Sequence, residues 1–355
     1  SVLVGLGCVQ CTDVDDCLFI LREGDSWVKI LVYVDDYAVT TNSPELYARL
    51  WTGVSAAFDI TDYGQLGLFL GIKISRGSDY TITLDQSHYV DILMKRFDVP
   101  RATYRAPLSS GTYGKLSHCL PSENIGDDVP YKSAVGALFW LARATRLDIA
   151  YAVCQVARFV ECHSMKHWHA VLRILAYLAC TRGVAIRMSL PGKPNDMALD
   201  ACADSDWAGD AETRRSRSGW IVRIGGCFVA WRSTIQGGYA QSATEAEYIA
   251  LNHAAREVFW WRKLFRTMNW SLGGPTPIEE DNRGCRELAE HSGNFNSTKH
   301  IELKFHSIRA WIRHGVFAVV PVAGLDNFAD LLTKNCSADV FRRLFLESVF
   351  VFVRR

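Results

Sequence analysis

Apolar residues crowd two short runs near the start, 17–22 and 27–40, and predict strands there. The second run is interrupted by Asp35-Asp36 between valine-rich flanks, which predicts a β-hairpin with two carboxylates at its tip. Helical spacing follows over 44–57, with Ser43 placed as N-cap and Pro44 at the first helical position. A second strand pair is predicted at 67–76 and 80–84, then a helix at 86–97 capped by Asp85. Residues 101–129 are rich in Ser, Gly and Pro and predict a linker. Helical spacing resumes over 131–161 and again over 166–181, where Gly183 ends it. After Pro191-Gly192-Lys193-Pro194 the period changes. Short strands are predicted at 197–203, 218–225 and 227–232, and one long helix at 244–268. A strand at 276–281, helices at 283–290 and 302–313, a strand at 316–322 and a last helix from 327 complete the chain. Three strands, a helix, then alternating strands and helices describe an α/β domain with a mixed sheet.

Composition narrows this picture. The chain has 355 residues, room for two or three domains, with 49% hydrophobic and 22% charged residues, which excludes disorder on a large scale. No run of 18 apolar residues exists, so no membrane span is expected. The net charge of +1 by itself points to no partner, but it is unevenly spread: residues 1–92 carry −8, 93–187 carry +7 and 188–355 carry +2. The basic middle fits nucleic-acid contact, and equally a helical segment exposing Lys and Arg for solubility. Eleven cysteines are scattered, and the Cys8/Cys11 pair has no second pair at zinc-finger spacing. Odd in number and scattered, they are read as free, reduced thiols of an intracellular protein, and structural zinc at Cys8/Cys11 is disfavoured because a closed site needs four ligands. The chain opens at Ser1 directly into structured-looking sequence, without a signal peptide, and is expected to be a piece of a longer protein.

Four acidic residues of the second half stand where a metal site could use them. Asp204 ends the first strand in Ala203-Asp204-Ser205-Asp206-Trp207, and Glu247 lies in the first turn of the long helix. Asp281 ends the fourth strand, and Asp330 opens the last helix. Hydrolysis of a phosphodiester needs an activated water and a stabilised leaving oxygen, which two Mg²⁺ ions roughly 3.5–4 Å apart supply. Such hard ions take oxygen ligands. A single Asp at a strand or helix end is ordinarily a cap or turn residue, so only the joint pattern carries weight.

The chain resembles the Pol region of copia-type LTR retrotransposons over nearly its whole length. Tyr33-Val34-Asp35-Asp36 is similar to the reverse transcriptase metal-binding turn. Phe58-Asp59-Ile60-Thr61-Asp62-Tyr63-Gly64-Gln65-Leu66, Phe69-Leu70-Gly71-Ile72, Gln86-Ser87-His88-Tyr89-Val90 and Tyr131-Lys132-Ser133-Ala134-Val135-Gly136 continue the likeness. Thr145-Arg146-Leu147-Asp148 departs from it, with Leu147 where the family has Pro. In the second half Asp204-Ser205-Asp206-Trp207-Ala208-Gly209-Asp210, Ser216-Arg217-Ser218-Gly219, Thr244-Glu245-Ala246-Glu247-Tyr248, Thr298-Lys299-His300-Ile301 and Ala329-Asp330-Leu331-Leu332-Thr333-Lys334 follow in order.

The resemblance implies part of a reverse transcriptase palm over 1–100, a helical thumb and connection over 101–190, and a ribonuclease H domain over 195–340. In that last domain a mixed five-stranded sheet is flanked by helices. Asp204, Glu247, Asp281 and Asp330 become the catalytic, metal-binding carboxylates, with Asp206 and Glu245 as rivals to the first two. Asp35 and Asp36 would supply two of the palm's three metal-binding carboxylates. The third is expected upstream of residue 1, so polymerisation is not expected of this chain alone. The implied activity is Mg²⁺-dependent (or Mn²⁺-dependent) cleavage of the RNA strand of RNA–DNA hybrids. The alternatives are a catalytically inactive nucleic-acid-binding remnant and an unfolded pseudogene product. The basic 93–187 segment would follow the phosphate backbone, while Trp140, Trp168 and Tyr177 are read as packing residues rather than base-stacking platforms. His300 and His306 are read as structural. Implied partners are nucleic acid and the rest of the Pol polyprotein, with no membrane, in a cytoplasmic virus-like particle or the nucleus.

Overall fold

The computed structural model describes residues 1–100, 102–109, 116–189, 198–290, 307–346 and 350–352. It divides into two compact units, Ser1–Ile74 with Trp260–Ser271, and Ser75–Phe259 with Leu272–Arg355.

In the first unit, strands β1 (Val9–Gln10), β2 (Leu18–Glu23), β3 (Ser26–Tyr33) and β4 (Asp36–Thr41) form an antiparallel sheet in that order. The helix Pro44–Ser55 packs its apolar stripe, Leu46, Leu50 and Val54, against Phe19, Leu21, Val28 and Ile30 of the sheet. Ser43 caps it as expected, its hydroxyl accepting from the amide of Leu46 at 3.2 Å. Lys29 is buried in this unit and, among the described residues, forms no ion pair. Its ammonium donates to the carbonyl of Met268 at 3.1 Å and lies over the rings of Trp27 and Trp270 at 4.2 and 4.9 Å. The single strand expected over 67–76 is instead a hairpin of β5 (Leu68–Phe69) and β6 (Ile72–Arg76). Leu70 and Gly71 turn the chain between them at positive φ.

The second unit contains a helical layer and a mixed sheet. Its first strand is β7 (Ile82–Asp85), followed by the helix Ser87–Arg96. Asp85 accepts from the amide of Ser87 at 2.6 Å, so the cap expected there is present one residue earlier than the helix's own N-cap position. The helical span expected over 131–161 is two helices, Tyr131–Ala144 and Ala150–Ala157. Between them Arg146 and Asp148, both buried, form a bidentate ion pair at 2.9 and 2.7 Å. Tyr177 donates to Asp148 at 2.8 Å and the Thr181 carbonyl accepts from Arg146 at 3.2 Å. These polar groups find partners only when the chain leaves the helix at Thr145. Trp168 and Tyr177 of the helix Met165–Cys180 are buried in the core, as expected, whereas Trp140 is exposed, off the stripe of Tyr131, Ala134, Leu138 and Leu141. Several short elements were unforeseen, among them the helix Val2–Gly5, β1 and two further strands. β8 (Val184–Met188) follows Met165–Cys180 directly and pairs antiparallel with β7 and with β14 (Phe350–Phe352).

The sheet that positions the candidate site has the order β11-β10-β9-β12-β13. It comprises β9 (Leu199–Asp206), β10 (Arg217–Ile224), β11 (Cys227–Ile235), β12 (Thr276–Glu280) and β13 (Phe317–Pro321). The first three form an antiparallel meander, while β12 lies parallel to both β9 and β13. Parallel pairing requires crossovers, supplied by the helices Ala243–Thr267 and Arg283–Glu290. This is the mixed five-stranded sheet with flanking helices that the sequence implies. β9 runs on to Asp206, so Asp204 sits within the strand rather than after it. The helix expected from 327 is the short Asp330–Thr333, then Ala338–Leu346. Of the helix expected at 302–313, residues 307–313 are described; His300 and His306 lie outside the described residues.

Candidate active site

The carboxyl ends of β9 and β12 lie side by side at the centre of this sheet, where parallel strands open a crevice. Asp204 points into it from β9, Asp281 follows β12, and Glu247 enters from the second turn of the long helix. One carboxylate oxygen of each lies within 4.8 Å of the others. Chain positions 204, 247 and 281 are brought together by three separate elements. Asp330 joins them through Lys334, whose ammonium is 2.8 Å from Asp330 and 3.4 Å from Asp204. Thr333 donates a hydrogen bond to the second oxygen of Asp204.

The turn carrying Asp330 and Lys334 is held against the sheet. Asn327 donates to the Ala203 carbonyl at 2.8 Å and accepts from the Ala329 amide at 3.1 Å. Gly219, paired with Asp204 across β10 and β9, makes the close approach possible. A Cβ there would stand 2.8 Å from both Leu332 Cβ and Thr333 Cγ2.

Burial and like charge dominate the electrostatics. Burial pushes Asp204 up to about 7, Asp330 and Asp281 add to the effect, and Lys334 and Thr333 oppose it. Burial pushes Glu247 up to about 10, reinforced by Glu280, Asp204 and Asp281. Lys334 is raised in turn by its two aspartates, which outweigh its own burial.

The two rivals take different places. Asp206 is half-buried at the end of β9, raised by burial against the pull of Lys334 and Arg217, and is outside the cluster of three. Glu245 accepts from the Gln241 amide at 2.8 Å while Ser242 accepts from the Glu245 amide at 3.1 Å, a reciprocal cap at the start of the long helix. Asp35 and Asp36 stand exposed at the hairpin between β3 and β4, where Val34 has φ +52°. Among the described residues they belong to no cluster of three potential ligands.

Two residues went unnoticed in the sequence. Glu280 is fully buried beside Asp281, with one oxygen accepting from the Asn282 amide at 3.0 Å and the other without a partner; burial raises it well above its ordinary value. The alternation in β12 carried the signal, since Thr276, Ile278 and Glu280 share one inward face. Lys334 was visible as the fourth residue after Asp330, on the same side of a helical turn.

Known proteins agree with this architecture in sequence. The chain is 35% identical over 329 residues to the retrovirus-related Pol polyprotein from transposon RE1 of Arabidopsis thaliana, covering 92% of this chain and 22% of that one. It is 32% identical over 329 residues to the corresponding polyprotein from transposon TNT 1-94 of Nicotiana tabacum, covering 90% and 24%. The chain thus spans about a fifth to a quarter of the length of these relatives. No family model matches it. Among solved structures, the LC11-RNase H1 complex with an RNA/DNA hybrid aligns at 15% identity over 38% of this chain and 92% of that one, with a TM-score of 0.30. The fold assignment rests on the strand order rather than on that overlap. By the sequence likeness over nine-tenths of its length, the chain belongs to the copia-type retrotransposon Pol polyproteins.

Proposed function

We propose that residues 195–340 form a ribonuclease H centre, a divalent-cation-dependent endonuclease that cuts the RNA strand of RNA–DNA hybrids. The convergence of Asp204, Glu247 and Asp281 within 4.8 Å carries the reading, because three acidic groups, two of them buried, are not gathered this closely for stability. Among the described residues the donors of this cluster are all carboxylate oxygens, which suits Mg²⁺ or Mn²⁺. One oxygen of Glu247 is buried without a hydrogen-bond partner among the described residues, which suits an atom that could take a cation.

Bound cations would supply the activated water and the leaving-oxygen stabilisation. The protein's own part is to aim the ligands. Thr333 and Lys334 fix the rotamer of Asp204, Lys334 holds Asp330 beside it, and Asn327 pins that turn to β9. Residues 1–100 and 101–190 are proposed to be palm and thumb–connection segments, with the basic middle following the phosphate backbone and Asp35 and Asp36 as two palm carboxylates. The rest of the polyprotein and an intracellular particle or the nucleus complete the proposed setting. No described helix is long and apolar enough to cross a membrane.

The test is cleavage of a labelled RNA–DNA hybrid with Mg²⁺, with Mn²⁺ and with chelator. Cleavage confined to the RNA strand and abolished by chelator and by Asp204→Asn is expected. Tight hybrid binding by a wild-type chain that never cuts would leave the inactive binding remnant as the correct reading.

A further inference from the structure

Two of the eleven free thiols face each other. Cys119 lies in the irregular segment 116–120, and Cys162 lies in the loop before the helix Met165–Cys180. Their sulfurs are 2.7 Å apart, and Cys162 Sγ is also 3.7 Å from the Cys119 carbonyl oxygen. Separate contacts hold each cysteine in place. Beside Cys119, His118 is 3.1 Å from Glu212, and the Ser117 carbonyl is 2.9 Å from His167 Nε2. Beside Cys162, the His163 ring stacks on Tyr131 at 4.1 Å and its amide donates to Asn124 at 3.2 Å. Anchored sulfurs already in contact need little backbone movement to bond, the usual obstacle to forming a disulfide.

We propose that Cys119 and Cys162 are a redox modification site, a dithiol that closes to an intrachain disulfide by exchange with a low-molecular-weight disulfide such as oxidised glutathione. Cys162, the more exposed sulfur, loses its proton to solvent and attacks one glutathione sulfur, releasing the first glutathione thiolate, which solvent reprotonates. Cys119 then loses its proton and attacks the Cys162 sulfur, and the second glutathione leaves in the same way. Two protein thiols are oxidised and one glutathione disulfide is reduced to two thiols. Burial and the neighbouring sulfur push Cys119 up to about 11, so it is the resolving partner rather than the first nucleophile. Excess reduced thiol reverses both steps.

The closed bond would join positions 43 residues apart and clasp the 116–120 segment. Through the His118–Glu212 contact, and Arg158 at 3.1 Å from Glu212 and 2.8 Å from Asp210, that segment reaches the loop leaving β9. The inference stands apart from the nuclease reading.

The full chain would be equilibrated with oxidised and reduced glutathione, alkylated, and digested without reduction. The expected product is the Cys119 peptide joined to the Cys162 peptide, lighter than their sum by two hydrogens. The oxidised chain should melt roughly 5–10 °C higher, an effect reversed by reductant. Cys119→Ser and Cys162→Ser should each lack the joined peptide and the gain in melting temperature. Glutathione adducts on both cysteines in place of the joined peptide, or both left as alkylated thiols, would overturn the assignment.

Discussion

Asp204→Asn separates the electrostatic cost of the candidate site from its shape. Asp204 is 1% exposed, and its carboxyl is raised from 3.8 to about 7. Between those values the folded chain keeps a proton that the unfolded chain has released. The stability associated with this group is therefore fully present below pH 3.8 and is lost as pH rises through about 7. The complete loss is ~4 kcal/mol, and ~2 kcal/mol of it falls between about pH 5.5 and about pH 8. Asparagine cannot ionise and keeps the side-chain shape. Over the same interval the variant's stability should therefore fall by ~2 kcal/mol less than that of the wild type. Lys334, raised by its aspartates, stays charged throughout and does not distort the comparison. The assay is urea unfolding in chelator at both pH values, followed by Mg²⁺ addition at the higher one. Mg²⁺ should restore stability to the wild type and much less to the variant. Parallel pH dependences, or an equal Mg²⁺ effect on both proteins, would refute the reasoning.

Glu247→Gln should leave the fold intact and lower hybrid cleavage roughly 10²–10³-fold, measured as single-turnover rate. Gly219→Ala forces Leu332 and Thr333 away from β10 and should cost about 1–3 kcal/mol in denaturant unfolding while lowering kcat more than it raises KM. Asp148→Ala strands the buried Arg146 guanidinium, and unfolding should report a loss of roughly 3–5 kcal/mol without any change in metal response. A primer–template assay should detect no extension by the isolated chain, since Asp35 and Asp36 stand exposed and outside any described cluster of three ligands.

Periodicity made most of this fold readable. The helix at 283–290 and the strands of the second sheet lie within a few residues of their expected limits, because each has a clear period and turn residues at its ends. The break at Thr145–Asp148 was hidden, because apolar spacing continues across it. What ends the helix is a polar network whose partners, Tyr177 and Thr181, lie some 30 residues on. β8 was missed because it starts immediately beyond a helix end and is defined by its pairing with β7 and β14. At the site, the four carboxylates drew attention through family motifs. Which of Asp204 and Asp206, or of Glu245 and Glu247, points inward depends on strand twist and on capping at the helix start. Spacing alone does not resolve those choices. Glu280 was readable from alternation in β12, but a carboxylate at a buried strand position runs against the expectation that charge faces water.

The parallel insertion of β12 between β9 and β13 has a kinetic consequence. The meander β9–β10–β11 can zip up from local turns, but β12 reaches its neighbours only after the chain has closed over the long helix, and β13 only after a second crossover. The cleft therefore exists in no partly assembled sheet. In refolding from denaturant, helical signal should return in an early phase. Stabilisation by Mg²⁺, and any cleavage, should return only with the slowest phase, which makes the site a natural clock for the completion of the sheet.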